Sequence, residues 1–160
     1  VIAEIIQSAP SHRLLLLEDT AEIQCAAENA VCLHTTDSTD MARLLKSTMR
    51  WRPDRIIVGE VRDGAALTLL KAWNTGHPGG ITTIHANTAH SALRRLEQLT
   101  AEVSQQPMRE VVSEAVDLVV SIERTATGRR VRDVMRVTGF DGTTYETDHN
   151  SQIDEDSHAA

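Results

Sequence analysis

The sequence predicts an α/β fold, with a mostly parallel sheet, helices on both faces and an antiparallel meander appended to it. Two continuous apolar runs, residues 14–17 and 56–58, each lead into acidic residues, which is typical of strands buried on both faces of a parallel sheet. Strand patterns alternate with helical patterns along most of the chain. Towards its end, turn signals at Thr127-Gly128 and Asp141-Gly142 separate short segments and indicate the meander.

The helical segments are identified by apolar residues that recur at three- and four-residue spacing. Thr39 is predicted to cap the second helix, with Asp40 in its first turn, and Thr88 or Ser91 to cap the fourth. Pro107 suits the first turn of the fifth helix. The predicted helices are residues 1–7, 39–50, 63–74, 88–103 and 107–115.

The strand segments are short and rich in β-favouring residues. The predicted strands are residues 14–17, 30–35, 56–58, 81–85, 117–123, 131–138 and 144–145. Beyond them the chain is polar and acidic, a composition that cannot bury a core. We therefore expect one domain over residues 1–146, followed by an acidic, disordered tail over residues 147–160.

Composition excludes several classes of protein. The chain has 160 residues and a net charge of −7. Five of its acidic residues lie in residues 146–160, which contain no Lys or Arg, so the rest is nearly neutral and offers no basic field for nucleic acid. No apolar run approaches the length of a membrane span. Cys25 and Cys32 match no zinc or redox spacing, which favours reduced thiols in a cytosolic protein.

Three predicted strands end in side chains that can do chemistry: Glu18 and Asp19, then Glu60, then His85. The carboxyl ends of parallel strands meet at one edge of a sheet, where α/β proteins bind ligands. Glu22 follows in the turn after the first of these strands. Clustered acids of this kind suit metal-assisted hydrolysis, in which one orders Mg²⁺ through water and another takes a proton from the attacking water.

Basic side chains flank the same elements. His77 lies in the loop before the strand that ends in His85, and histidine near a phosphate can contact it or respond to its loss. Arg52 and Arg62 flank the strand that ends in Glu60, where a guanidinium group can stabilise phosphoryl charge within the subunit or across an interface.

Each of these residues also has a purely structural interpretation. His85 alone fits a hydrogen-bonded core histidine, Glu22 a solvated turn residue, and Arg52 a surface partner of a neighbouring aspartate. A zinc site made from His77, His85 and His90 is disfavoured, because their spacing matches no common ligand pattern.

Three motifs, in this order, resemble those of the type II/type IV secretion ATPase superfamily. Residues 14–22, Leu-Leu-Leu-Leu-Glu-Asp-Thr-Ala-Glu, resemble its Asp box. Residues 52–63, Arg-Pro-Asp-Arg-Ile-Ile-Val-Gly-Glu-Val-Arg-Asp, resemble its Walker B motif, and residues 75–87, Thr-Gly-His-Pro-Gly-Gly-Ile-Thr-Thr-Ile-His-Ala-Asn, its His box. The resemblance covers residues 1–145 and is greatest to the conjugal-transfer ATPases of type IV secretion, the TrbB type. Type II secretion and pilus-retraction motors are the nearest alternatives.

The resemblance implies the C-terminal part of a RecA-like P-loop NTPase core, which binds ATP and Mg²⁺ between the subunits of a homo-hexamer. It implies that Glu22 and Glu60 are catalytic and that Glu60 holds Mg²⁺ through water. The implied cofactor contacts are Glu18, Asp19, His77, His85, Arg52 and Arg62. The intact protein is expected in the cytoplasm, peripheral at the inner membrane, where it works with secretion or conjugation machinery in substrate translocation or pilus assembly.

One part of the family pattern is absent. No Gly-x-x-x-x-Gly-Lys-[Ser/Thr] loop occurs in these residues, and that loop supplies the backbone and the lysine that hold the phosphates. We therefore expect the C-terminal part of a larger motor, inactive alone. The alternative is a non-hydrolysing interaction module or truncated subunit. A nucleic-acid-binding domain is disfavoured by the near-neutral body, and no direct sequence-specific contact with nucleic acid is expected.

Overall fold

The computed structural model describes residues 2–149, which form a parallel sheet, an antiparallel sheet and five α-helices. The helices are α1 (Ile2–Ser8), α2 (Met41–Thr48), α3 (Ala65–Asn74), α4 (Ala89–Ala101) and α5 (Arg109–Ala115). The strands are β1 (Leu14–Glu18), β2 (Ala30–His34), β3 (Arg55–Glu60), β4 (Ile81–Thr83), β5 (Leu118–Thr125), β6 (Gly128–Phe140) and β7 (Tyr145–His149). A 3₁₀ helix, Met49–Trp51, follows α2.

The parallel sheet has the order β2-β1-β3-β4, and β1 lies inside it. Leu16 pairs with Cys32 on one side and with Ile57 on the other, and all five residues of β1 are buried. This is why its sequence reads as an uninterrupted apolar run. The predicted parallel sheet and its appended antiparallel meander, β5-β6-β7, are confirmed.

Alternate side chains of β1 enter two apolar cores, one on each face of the sheet. Leu15 and Leu17 join the larger core, which contains residues of α2, α3, α4 and α5. Leu14 and Leu16 join the smaller core, against which Ile5 of α1 packs. Helices therefore cover both faces, as predicted.

Several element boundaries differ from the prediction. The cap of α2 is Asp40, whose side chain accepts a 2.7 Å hydrogen bond from the N–H of Arg43; Thr39 instead forms an isolated bridge with Thr36. Pro107 lies outside α5, which begins at Arg109.

The ends of two strands also differ. β4 ends at Thr83, so His85 lies two residues beyond the strand instead of at its end. β7 extends to His149, so the predicted boundary after residue 146 falls inside a strand. The rest of the predicted tail, residues 150–160, lies outside the described residues.

Two further observations concern membrane spans and cysteines in the described residues. Over residues 2–149, no helix combines the length and the apolar character that crossing a bilayer requires. Cys25 and Cys32 are free thiols, and burial raises the pKa of the Cys32 thiol.

Candidate nucleotide-hydrolysis site

The carboxyl edge of the parallel sheet gathers the ends of its strands. β1 ends at Glu18, β3 at Glu60 and β4 at Thr83, and the three strands run in the same direction in adjacent positions. The residues that follow each strand therefore come together at this edge. Thr83 ties two of the strand ends together, because its hydroxyl donates a 2.7 Å hydrogen bond to the carbonyl oxygen of Gly59.

Four side chains at this edge form a network that we call the carboxyl-edge cluster: Asp19, Glu60, Arg62 and His85. Arg62 Nη2 donates a hydrogen bond of 2.7 Å to Glu60 Oε2, and His85 Nε2 lies 3.2 Å from Glu60 Oε1. Arg62 Nη1 lies 4.0 Å from Asp19 Oδ2. The Glu60 carboxylate thus joins Arg62 to His85, and Arg62 in turn lies near Asp19, the residue that follows β1.

The electrostatics of the cluster favour an ionised Glu60. The hydrogen bond from Arg62 lowers the pKa of Glu60; partial burial opposes this change, and the charges of Arg62 and His85 reinforce it. The same bond raises the pKa of Arg62, and the charges of Asp19 and Glu22 act in the same direction. Glu22 is exposed and lies close enough for its charge to act on Arg62. The cluster therefore contains an ionised Glu60 carboxylate, and the acid Asp19 lies near the same guanidinium group.

Glu18 has a different environment from its neighbours. It is only 4% exposed, and its Oε1 accepts hydrogen bonds from the backbone N–H groups of Glu22, at 3.1 Å, and Ile23, at 2.9 Å. Its Oε2 lies 4.0 Å from His34 Nε2. This geometry differs from the predicted contact between Glu18 and a cofactor, because the buried carboxylate is already committed to the protein's own backbone.

His77 and Arg52 lie at the opposite edge of the sheet. His77 Nδ1 is 2.9 Å from the carbonyl oxygen of Pro53, and Arg52 adopts a left-handed conformation with φ of 53° just before β3 begins. The six residues of β3 separate this edge from Glu60 by about 17 Å. Within one chain, His77 and Arg52 therefore lie apart from Glu60 and His85, because a loop that enters a parallel strand lies at its amino end. Their predicted contact with a cofactor stays a prediction.

A hollow of about 250 Å³ adjoins the cluster, and Asp19, Glu60 and Arg62 line it. Sequence reasoning missed Thr35, which also lines it and whose hydroxyl donates a 3.0 Å hydrogen bond to Asp19 Oδ1. The sequence could have indicated Thr35, because it directly follows a parallel strand, as Asp19 does. A larger hollow of about 790 Å³ between α2, α3 and the end of α4 contains none of the predicted site residues.

The donor set bears on which metal could bind. Within the described part of the chain, no group of three or more His, Cys, Asp or Glu side chains is arranged to hold a metal ion. Of the histidines considered for a zinc site, His77 lies at the other edge of the sheet from His85, and His90 Nδ1 is 3.2 Å from Met135 Sδ. A single ionised carboxylate suits Mg²⁺, which is usually bound by one or two carboxylates together with waters and substrate phosphates.

These features define a class: a RecA-like core whose carboxyl edge carries an acid, arginine and histidine cluster. The chain belongs to the type II/IV secretion system protein family, whose model matches residues 1–148. It is 74% identical over 160 residues to the conjugal transfer protein TrbB of Rhizobium radiobacter, with all of this chain and 50% of that protein covered. It is 72% identical over 155 residues to the probable conjugal transfer protein TrbB of Sinorhizobium fredii (strain NBRC 101917 / NGR234), covering 97% of this chain and 48% of that protein. The chain thus spans about half the length of these relatives.

Two solved structures share the fold. The VirB11 ATPase of the Brucella suis type IV secretion system, crystallised with sulphate, superposes with a TM-score of 0.76 at 28% identity, covering 83% of this chain and 43% of that one. The pilus retraction motor PilT with bound ADP superposes with a TM-score of 0.63 at 25% identity, covering 83% and 41%. The predicted fold class, the C-terminal part of a RecA-like P-loop NTPase core, is confirmed.

Proposed function

We propose that this chain is part of an oligomeric traffic ATPase that couples ATP hydrolysis to conjugal transfer or type IV secretion. The observation that carries the proposal is the carboxyl-edge cluster, in which an ionised Glu60 accepts a hydrogen bond from Arg62 and lies 3.2 Å from His85, at the edge of the sheet where α/β proteins bind ligands. Family membership and the likeness to the VirB11 ATPase support it. The likeness to PilT supports a pilus-retraction motor as the alternative.

The roles of the residues follow from their positions. Bound Mg²⁺ would neutralise phosphate charge, and Glu60 would hold it through water. Glu22, an exposed acid whose charge acts on Arg62, would accept the proton of the attacking water as the bond from that water to the terminal phosphorus forms and the bridging P–O bond breaks. Asp19, 4.0 Å from Arg62, would help to orient its guanidinium, and His85, 3.2 Å from Glu60, would contact the transferred phosphate.

The surroundings of the motor are also part of the proposal. We infer a homo-hexamer that binds ATP between subunits, in the cytoplasm and peripheral at the inner membrane, where it contacts the conjugation or secretion machinery. The relatives named for conjugal transfer and type IV secretion support this inference. In such a ring, His77 and Arg52 could reach nucleotide only from a neighbouring subunit, because they lie at the far edge of their own sheet.

A chimera tests the proposal. Residues 1–160 replace the matching half of the TrbB protein of R. radiobacter, and release of phosphate from ATP is measured. Glu60→Gln should lower kcat by at least ~100-fold, since it removes the charge that orders metal and water. The matched control, Glu110→Gln, changes an exposed acid on α5 and should leave kcat within about twofold, because surface substitutions away from the site have small effects. Hydrolysis that is insensitive to Glu60→Gln would contradict the proposal.

The second candidate is a non-hydrolysing interaction module or truncated subunit. Titration with a fluorescent ATP analogue separates the two candidates. The motor requires the chimera to bind the analogue, whereas a chimera that assembles with its partners but binds no nucleotide would support the module.

A further inference from the structure

We propose that Glu18 is a positioning residue, which fixes the loop that carries Glu22 beside the carboxyl-edge cluster. Its effect on catalysis rests on the function proposed above, but its effect on the loop does not. No role of this kind follows from the sequence, where Glu18 is only one of several acids after β1.

The loop depends on Glu18 for its polar contacts. Residues 21–27 form neither helix nor strand, and across residues 2–149 no backbone-to-backbone hydrogen bond involves residues 20–26. The two bonds from the N–H groups of Glu22 and Ile23 to Glu18 Oε1 are therefore the hydrogen bonds that hold this backbone.

Apolar packing completes the anchor. Ile23, the second of the two donors, packs with its side chain against the smaller core beside Leu14 and Leu16. One residue is therefore held by its side chain in the core and by its backbone on Glu18, while its neighbour Glu22 remains exposed. This arrangement presents the Glu22 carboxylate to solvent from a fixed backbone, as a proton acceptor requires.

The strand beside β1 leaves room for this arrangement. A Cβ atom added at Gly59 would lie 3.2 Å from Glu18 Cγ, closer than ordinary van der Waals contact. The absence of a side chain at Gly59 thus lets the stem of Glu18 lie against β3 while its carboxylate reaches the loop. Glu18 Oε2 lies beside His34, not towards the hollow that adjoins Glu60, and Glu18 does not line that hollow.

Two conservative substitutions separate positioning from charge. Glu18→Gln keeps the length of the side chain and an acceptor oxygen but removes the charge. Glu18→Asp keeps the charge but is shorter by one methylene, so that it cannot reach both N–H groups without moving the backbone. Positioning predicts that Gln substitutes better than Asp, whereas a direct role in binding Mg²⁺ predicts the reverse.

The first measurement is amide hydrogen exchange on residues 1–160, which requires no ATPase activity. Exchange at Glu22 and Ile23 should accelerate by at least about tenfold in Glu18→Asp and by less than about threefold in Glu18→Gln, as expected when local opening becomes easier. The amides of β1 should stay protected in both variants, which shows that the sheet is intact. Equal protection of the two loop amides in wild type and Glu18→Asp would overturn the proposal.

The second measurement is ATP turnover in the chimera. Glu18→Asp should lose about 10- to 100-fold in kcat with the KM for ATP within about threefold, because a misplaced base affects the reaction more than binding. Glu18→Gln should retain at least about tenfold more kcat than Glu18→Asp. Turnover by Glu18→Asp that equals or exceeds that of Glu18→Gln overturns positioning. A wild-type chimera without Glu60-dependent hydrolysis refutes the proposed function instead, and hydrogen exchange still decides the role of Glu18.

Discussion

Replacing Gly80 by alanine should destabilise the fold more than any other glycine-to-alanine change within a strand or at its start. Gly80 immediately precedes β4 and lies against β3, where a Cβ atom would meet the backbone carbonyl oxygen of Ile56 and the indole of Trp73, with Trp73 Cε2 only 2.5 Å away. The indole nitrogen donates a 3.1 Å hydrogen bond to that carbonyl. The added methyl group would therefore occupy the space of an existing bond.

The magnitude follows from two contributions. Forcing a methyl group into a packed site costs about 1–3 kcal/mol, and losing the hydrogen bond of the indole costs about 0.5–1.5 kcal/mol. We expect the free energy of unfolding to fall by about 2–4 kcal/mol. The backbone carbonyl cannot move aside without disturbing β3, so relaxation offers little relief.

Urea unfolding followed by circular dichroism measures this change, with a common slope required for comparison. Gly139→Ala is the matched control, because a Cβ atom there meets only the flexible end of the Glu146 side chain, at 2.9 Å from Oε2. The control should lower the free energy of unfolding by less than about 1 kcal/mol, because only the flexible end of one side chain has to move. If Gly80→Ala is no less stable than Gly139→Ala, the packing argument is refuted.

Two further predictions concern charges. Arg62→Ala should raise the pKa of Glu60 towards its ordinary value of 4.5, which a ¹³C NMR titration of the carboxyl carbon measures. Because the pKa of Glu60 is lower in the folded protein than in the unfolded one, Glu60 stabilises the fold above the unfolded pKa, and this stability is lost as the pH falls through the folded pKa. The Arg62→Ala variant should therefore lose less stability on acidification than the wild type. An unchanged pKa of Glu60 in the variant would contradict the assigned cause. Asp40→Ala should lower the free energy of unfolding by about 1 kcal/mol, because it removes the cap of α2. The control Thr39→Ala should lower it by less than about 0.5 kcal/mol. Equal changes for the two variants in urea unfolding would contradict the assignment of Asp40 as the cap.

The central strands could be predicted because burial on both faces leaves an uninterrupted apolar signal in β1 and β3. The ends of β4 and β7 could not. Residues 81–84 all favour β structure, but the pairing of β4 with β3 becomes irregular between Val58 and Glu60 and ends at Thr83. β7 contains the polar residues Thr147 and Asp148, so its side chains give no strand pattern. It forms a strand because its backbone pairs with β6.

The positions of the site residues could also be predicted only in part. The rule that parallel strands end at one edge correctly brings Glu60, Asp19 and His85 together, because it depends only on strand direction. His77 is close to His85 in sequence, but β4 lies between them and carries the chain from one edge of the sheet to the other. The inward turn of Glu18 depends on where the loop after β1 returns, which no pattern in the sequence encodes.

The early end of β4 has a dynamic consequence. His85 follows the strand without belonging to it, and 92% of its side chain is accessible to solvent. The imidazole can leave the carboxylate of Glu60 and return without breaking any bond of the strand ladder. We therefore expect this contact to open and close far more often than the sheet itself unfolds, on the timescale of loop motion and not of domain opening.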